Sequence, residues 1–241
     1  MSQGVLYIIP TPIGNLEDMT LRALRILKEV DVLASEDTRH TQKLLSHFEI
    51  SKVLTSYHDF NKEEKAPILL QFLKEGRNVG LVCDAGTPTI SDPGYLLINQ
   101  AIDHGIRVIP LPGPSALLTA LSGSGLPTDA FIFNGFLPKK KTARLRVIDE
   151  LKDEKKTLIF FETPHRILKI LEEFYSVFGE RRVVIARELT KKFEEFIYGT
   201  LSGIVKKKWA VKGEITLLIE GRRKKSTDSQ FKESEHHQGE E

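Results

Sequence analysis

Three segments of this chain are built for close approach to a ligand. They are PTPIGN at 10–15, DAGTPTISDPG at 84–94 and LPGPSA at 111–116. Glycine, proline and small polar residues dominate each, and they let backbone groups come near a bound molecule. Each follows a short apolar run. In an open parallel sheet the loops at the carboxyl ends of the strands hold the ligand, so three such loops predict one small-molecule cleft. The segments contain neither G-x-x-x-x-G-K-[ST] nor G-x-G-x-x-G, the two patterns that cradle phosphates at a helix start. A nucleoside or amino-acid ligand fits better. Asp84, closing its apolar run, could accept hydrogen bonds from a ribose or an amino group. It could equally stabilise its own turn.

A second set of residues carries charge. SEDTRHT at 35–41 crowds Glu36, Asp37, Arg39 and His40 behind an apolar run. The plainer reading is a helix start, with Asp37 or Thr38 as cap and the acids favoured by the helix dipole. That accounts for the acids but not for the Arg–His pair. FETPHR at 161–166 and RELTKK at 187–192 are similar clusters. No His/Cys spacing accompanies His165 and Arg166, which suits anion partners and not metal ligands. Lys139–Lys141, with Arg144 and Arg146, is a basic run. Such runs are ordinarily solvated surface, and this one is a candidate RNA contact.

The elements that position these groups alternate. Apolar runs at Val5–Ile9, Val32–Ala34, Val53–Ser56, Val79–Cys83 and Val108–Ile109 read as strands. Helical spacing occupies Leu21–Val30, Thr41–His47, Lys62–Glu75 and Tyr95–His104, with Thr20 as an N-cap. Alternation predicts parallel pairing. Pro110–Pro114 interrupts it, and a helix restarts at Ser115–Leu121. Beyond lie strand candidates at Phe131–Phe133, Leu158–Phe161, Val183–Ala186, Glu195–Tyr198 and Glu214–Ile219, with helices at Ala143–Leu151 and Ile167–Phe178. Hairpin-like neighbours predict a mixed second sheet.

The reading is therefore α/β, with two α/β domains at 1–115 and 116–221 and a hinge in the proline-rich stretch. From Arg222 to Glu241 the chain is polar and is expected to be disordered. The 35 basic residues against 33 acidic ones are too balanced to imply nucleic acid by themselves. A single cysteine, Cys83, excludes an internal disulfide. No basic start or long apolar stretch marks a secretory leader or a membrane span. Cytoplasmic residence is expected.

Taken together, YIIPTPIGNLEDMTLRALRILKEVDVLASEDTRHTQKLL, CDAGTPTISDPG, PLPGPSALLTALSGSGLPTD, FETPHR, ARELTK and GEITLLIEG resemble the ribosomal RNA branch of the tetrapyrrole-methylase-like methyltransferases. The resemblance runs from about Gly4 to Gly221. It implies two α/β domains with S-adenosyl-L-methionine in the cleft between them, a homodimer, and 2′-O-methylation of a cytidine in 16S ribosomal RNA of the small subunit. Carried over residue by residue, it places the cofactor against Pro12, Asp84, Thr87, Ser115, Ala116, Phe161, Leu189 and Glu214. The first loop departs from the G-x-G-P-G-D of tetrapyrrole enzymes, which favours the RNA branch. Cys83 stands where serine is expected.

The acceptor side is then expected at the remaining charged strand ends. Glu36, Asp37, Arg39, Arg187 and Glu188 are the candidate catalytic groups, with His40, Arg166 and Lys191 holding RNA. Two alternatives remain open at this stage. One is methylation of a tetrapyrrole, which needs a wide apolar cavity. The other is an RNA-associated ligand-binding module without catalysis.

Overall fold

The computed structural model describes residues 3–207 and 212–223. Its first half is a five-stranded sheet of β1 (Val5–Ile8), β2 (Val32–Ser35), β3 (Val53–Ser56), β4 (Val79–Val82) and β5 (Arg107–Pro110), in the order β3-β2-β4-β1-β5. Every pairing is parallel. A parallel sheet is covered on both faces, so its inner strands carry unbroken apolar runs. All four residues of β2 and of β4 are buried accordingly. Pro110 lacks an N–H for the ladder and is tolerated because β5 is an edge strand that ends there.

The helices are α1 (Leu21–Glu29), α2 (Thr38–His47), α3 (Lys62–Lys74) and α4 (Tyr95–Asp103). Ala23, Ile26 and Leu27 of α1 and Leu45 of α2 pack with Ile9 and Leu33 on one face. Leu69 and Leu73 of α3 and Leu97 and Ala101 of α4 pack with Leu6, Ile8 and Leu81 on the other. Thr20 caps α1 as expected, its Oγ1 accepting the Ala23 amide at 3.1 Å. Helix α2 begins three residues earlier than its apolar pattern shows. Asp37 caps it by accepting the Arg39 amide at 2.8 Å.

After the proline-rich loop come α5 (Ala116–Gly123), β6 (Phe131–Phe136), α6 (Lys141–Glu150), β7 (Thr157–Glu162), α7 (Ile167–Phe178), β8 (Arg182–Arg187), β9 (Glu195–Thr200), α8 (Leu201–Lys206) and β10 (Ile215–Ile219). The second sheet runs β6-β7-β10-β8-β9. It is mixed: β6 and β7 are parallel, and the other pairs are antiparallel. Central β10 is buried throughout. Ala120 and Leu121 of α5 cover one face, where Ile13 from the first loop joins them. Ile148, Ile170, Phe174 and Ile204 from α6, α7 and α8 cover the other.

Two elements escape the periodicity. Helix α8 is only six residues long and contains Gly203. Strand β6 continues past Phe133 through a bulge, where Asn134–Gly135 reads as a turn. Of the expected disordered end, Arg222 and Arg223 are placed, pairing with Asp153 and Glu220 respectively. Residues 224–241 lie outside the described residues. No helix among the described residues is long and apolar enough to cross a membrane.

Candidate functional site

The three small-residue loops converge because β1, β4 and β5 are adjacent. The first two are stitched together: the Thr11 amide donates to Gly86 O at 2.9 Å, and the Gly86 amide donates to Thr11 O at 3.0 Å. Thr11 Oγ1 adds a bond to Cys83 O at 3.1 Å. The second and third are joined by Thr87 Oγ1, which donates to Pro114 O at 3.0 Å. The strand ends of the second sheet face them across a cavity of about 570 Å³. From the first sheet's loops and the start of α5 it is lined by Ile13, Ala85–Thr87, Ile90–Asp92, Ser115 and Ala116. From the second come Phe136, Phe161–Pro164, Ala186, Glu188, Leu189 and Gly213–Thr216.

A neighbouring pocket of about 450 Å³ shares Ile13, Ala85 and Glu214 with it. Its remaining wall includes Pro12, His40, Lys43, Asp84 and Lys191. Of the residues expected to meet the cofactor, Thr87, Ser115, Ala116, Phe161, Leu189 and Glu214 line the larger cavity, whereas Pro12 and Asp84 line the smaller. Ser115 precedes α5 and makes no side-chain cap bond, so neither its hydroxyl nor the first-turn amides are committed to one another.

The expected acceptor residues are spread more widely. Glu188 lines the larger cavity, and His40 and Lys191 the smaller. Glu188 Oε1 accepts the Glu214 amide at 2.9 Å and Lys191 Nζ at 3.0 Å, which holds its carboxyl below the usual range. Asp37 does what a helix cap does. It also binds the Arg39 guanidinium, which pulls its carboxyl down to about 2. The Asp37 amide donates to Asp84 Oδ1 at 3.1 Å, tying the 35–41 segment to the cofactor loop. Arg39 remains 88% exposed. Arg187 Nε pairs with Glu195 at 2.6 Å, and Arg166 pairs with Glu162 at 3.3 Å.

Two residues at the site were missed from the sequence. Asp92 lines the larger cavity. Burial and then the Asp84 charge push its carboxyl up. Glu36 is raised for the same reasons: burial first, then Asp92, Asp84 and Asp59. The other is Glu162, whose side chain is fully buried. Oε1 accepts the Thr163 amide at 2.9 Å, but Oε2 has no hydrogen-bond partner, although the residue lines the cavity. A buried acceptor left single costs stability unless a ligand completes it. SDPG and FETPHR contained both residues, but neither segment showed which side chain would face the cavity.

Backbone strain is concentrated here. Thr89 (φ 78°), Ser91 (φ 68°), Glu188 (φ 49°) and Thr190 (φ 64°) are in the left-handed region and all belong to the loops around the cavity. The acids add to the cost. A carboxyl with a raised folded pKa contributes stability below its unfolded pKa and loses it as pH rises through the folded value. Asp92→Asn is therefore expected to raise the melting temperature at pH 7, by about 2–4 °C. The gain should vanish below about pH 4, where the aspartate is protonated anyway. Calorimetry at both pH values checks this, and a lower melting temperature at pH 7 would contradict it.

Among the described residues, no group of three or more His, Cys, Asp or Glu could hold a metal ion. Cys83 is buried, its thiol directed at the carbonyls of Ala85 and Gly86, and burial pushes that thiol up.

The comparisons with known proteins agree with this architecture. The family model described as Tetrapyrrole (Corrin/Porphyrin) Methylases matches residues 5–205. A "Ribosomal RNA small subunit methyltransferase I" of Halalkalibacterium halodurans is 53% identical over 91% of this chain and 76% of its own length. The relative of that name from Escherichia coli O157:H7 is 50% identical over 94% of this chain and 81% of its own. Among solved structures, the uroporphyrin-III C-methyl transferase of Thermus thermophilus complexed with S-adenyl homocysteine aligns with a TM-score of 0.61, at 20% identity, over 90% of this chain and 97% of that one. A diphthine synthase aligns with a TM-score of 0.66 at 14% identity, over 90% of each chain. These last two establish the fold alone. A family model that covers the first sheet and all of the second but its central strand, and relatives half identical over nine-tenths of the sequence, lead to one conclusion: the chain belongs to the tetrapyrrole (corrin/porphyrin) methylases, in the group of the small-subunit ribosomal RNA methyltransferases I.

Proposed function

We propose that the protein transfers the methyl group of S-adenosyl-L-methionine to the 2′-hydroxyl of a cytidine in 16S ribosomal RNA. The observation that carries this is the pair of neighbouring cavities at the strand ends, which share Ile13, Ala85 and Glu214, one small-residue and largely apolar, the other edged by His40, Lys43 and Lys191. The larger has the size of a small-molecule site. Its polar groups are few and specific: the Thr87 and Ser115 hydroxyls and the uncommitted amides at the start of α5. These suit a nucleoside with an amino-acid tail. When bound, the cofactor supplies a methyl electrophile on a sulfonium.

The chain's own residues do the rest. The two sets of loops align donor and acceptor, which supplies much of the rate in an in-line displacement. A ribose hydroxyl is a weak nucleophile, so an acid at the boundary, from among Glu36, Asp37 and Glu188, orients it or takes its proton. Arg39, Arg187 and Arg166, with His40 and Lys191, hold the flanking phosphates. The smaller cavity, with Asp84 and Pro12, completes the binding of the cofactor. We assign residues 1–115 and 116–221 to two units that close on these ligands, the second beginning with α5. Limited proteolysis that spares the stretch around 110–116 and cuts within either unit would argue against that division.

Isothermal titration with S-adenosyl-L-methionine is expected to show binding by wild type and by Arg39→Ala and Arg187→Ala, and weaker binding by at least tenfold for Asp84→Ala. The two arginine variants should lose methyl transfer to small-subunit RNA. Full transfer by both would reject the acceptor-side assignment, and unchanged affinity in a folded Asp84→Ala would remove Asp84 from the site.

The protein is further proposed to work as a cytoplasmic homodimer. Large apolar side chains left exposed, among them Phe60 and Leu118, support a second copy. Sedimentation at the mass of one 27.3 kDa chain, at micromolar concentration, would count against it. Recovery of the protein in the membrane or secreted fraction in cell fractionation would count against the location.

A further inference from the structure

The second sheet carries another concavity, of about 190 Å³, lined by Lys139, Lys141, Arg144, Arg166, Lys169 and Ile170. Five of these six residues are cationic. Two are already neutralised within the protein. Arg144 grips Glu173 along one edge of its guanidinium, through Nε at 2.6 Å and Nη2 at 2.8 Å, and Arg166 pairs with Glu162 at 3.3 Å. Lys139, Lys141 and Lys169 have no carboxylate within ion-pair distance among the described residues. Three cations gathered around one hollow repel each other and raise the local potential, which favours an anion there.

The hollow is held in shape. Arg144 Nη1 donates to Pro138 O at 3.1 Å and to Lys139 O at 2.8 Å, and Arg166 Nη2 donates to Leu137 O at 2.8 Å. The backbone that presents Lys139 is thus fixed by two buried or half-buried guanidinium groups. Its position also matters. Arg166 lines the hollow, and its partner Glu162 lines the large cavity, so one ion pair separates the two.

We propose that the hollow holds a backbone phosphate of the RNA strand next to the methylated nucleotide, with Lys139, Lys141 and Lys169 as its ligands. This rests on the function proposed above. Lysine is a flexible point charge and meets phosphate without reading sequence, so the contact sets register and affinity and carries no base specificity. The buried Arg144–Glu173 pair is not spent on it: that guanidinium belongs to the wall of the hollow.

The test is the variant Lys139→Gln/Lys141→Gln/Lys169→Gln, with naked 16S ribosomal RNA as the probe in filter binding across a salt series. Its affinity at low salt should fall roughly tenfold or more, and the log–log salt slope should become shallower by about 0.7–0.9, the loss of one phosphate contact. The single variant Lys169→Gln, on the exposed side of α7, should weaken binding in the same direction with a smaller change of slope. It serves as the reading if the triple variant melts early. Wild-type affinity and slope in both variants would overturn the proposal. Weakened binding to assembled subunits only, with naked RNA held normally, would assign the hollow to a ribosomal protein and overturn it as well. Wild-type methyl transfer measured alongside separates the two claims. RNA binding lost in the variants, with no transfer by wild type, would refute the activity and leave the phosphate site standing.

Discussion

Arg144→Ala is expected to cost about 3–5 kcal/mol of folding stability, the figure for removing one partner of a buried ion pair. The side chains of Arg144 and Glu173 are 5% and 9% exposed. Glu162 also acts on Arg144, and Lys141 and Lys169 on Glu173, but among the described residues none of the three comes within ion-pair distance of either partner. The guanidinium also satisfies the Pro138 and Lys139 carbonyls, so its loss leaves further acceptors unmatched. Arg144 holds the Glu173 carboxyl below the usual range. A depressed carboxyl contributes stability above its unfolded pKa and loses it as pH falls through the folded value. The gap between wild type and variant should therefore be widest near neutral pH and narrow below about pH 4. Urea titrations at both pH values measure it. A loss under 1 kcal/mol at pH 7 would contradict the burial argument. Arg144→Met/Glu173→Leu should recover most of the loss, because replacing both partners removes the uncompensated charge.

Gly213→Ala is expected to weaken cofactor binding by at least tenfold, about 1.4 kcal/mol. Gly213 has φ +84°, and a methyl group there would be 2.3 Å from the Glu188 side chain. Glu188 cannot withdraw without releasing the Glu214 amide and Lys191; Glu214 lines both cavities, Glu188 and Gly213 the larger, and Lys191 the smaller. Positive φ alone costs an alanine about 1 kcal/mol, so strain has to be separated from obstruction. Gly105→Ala provides the control: φ is +69° and nothing lies within 4 Å of the added carbon. Both variants should melt a few degrees early, and only Gly213→Ala should lose affinity. Equal affinities in titration would show that the Glu188 wall does not touch the ligand.

The fold was legible where periodicity and composition coincide. The inner strands of the first sheet are continuous apolar runs because both faces are covered, and Thr20 and the proline-rich loop mark boundaries by local chemistry. The ends of elements were less legible. Helix α2 starts at Thr38 because Asp37 caps it, which an apolar pattern beginning at Thr41 does not register. The cofactor loops were visible because small residues recur at three strand ends. The partners of the charged residues were not, since pairing depends on neighbours distant in sequence. Glu162 meets Arg166 by adjacency, but Arg144 finds Glu173 only across α6 and α7, and Asp92 meets Asp84 and Glu36 only when the loop folds back. For the same reason Asp37 could be read both as a cap and as an acceptor-side acid, and it caps the helix while its amide also binds Asp84.

The central claim is methyl transfer to one ribose of small-subunit RNA. Its most direct test is nucleoside mass spectrometry of 16S ribosomal RNA, from small subunits lacking the modification, after incubation with the protein and S-adenosyl-L-methionine carrying a labelled methyl group. The account predicts one labelled 2′-O-methylcytidine per RNA, and labelling slowed about tenfold or more when Gly213→Ala replaces wild type at limiting cofactor. Label on a base, label on no nucleoside, or label on a copurified tetrapyrrole instead of RNA would contradict it.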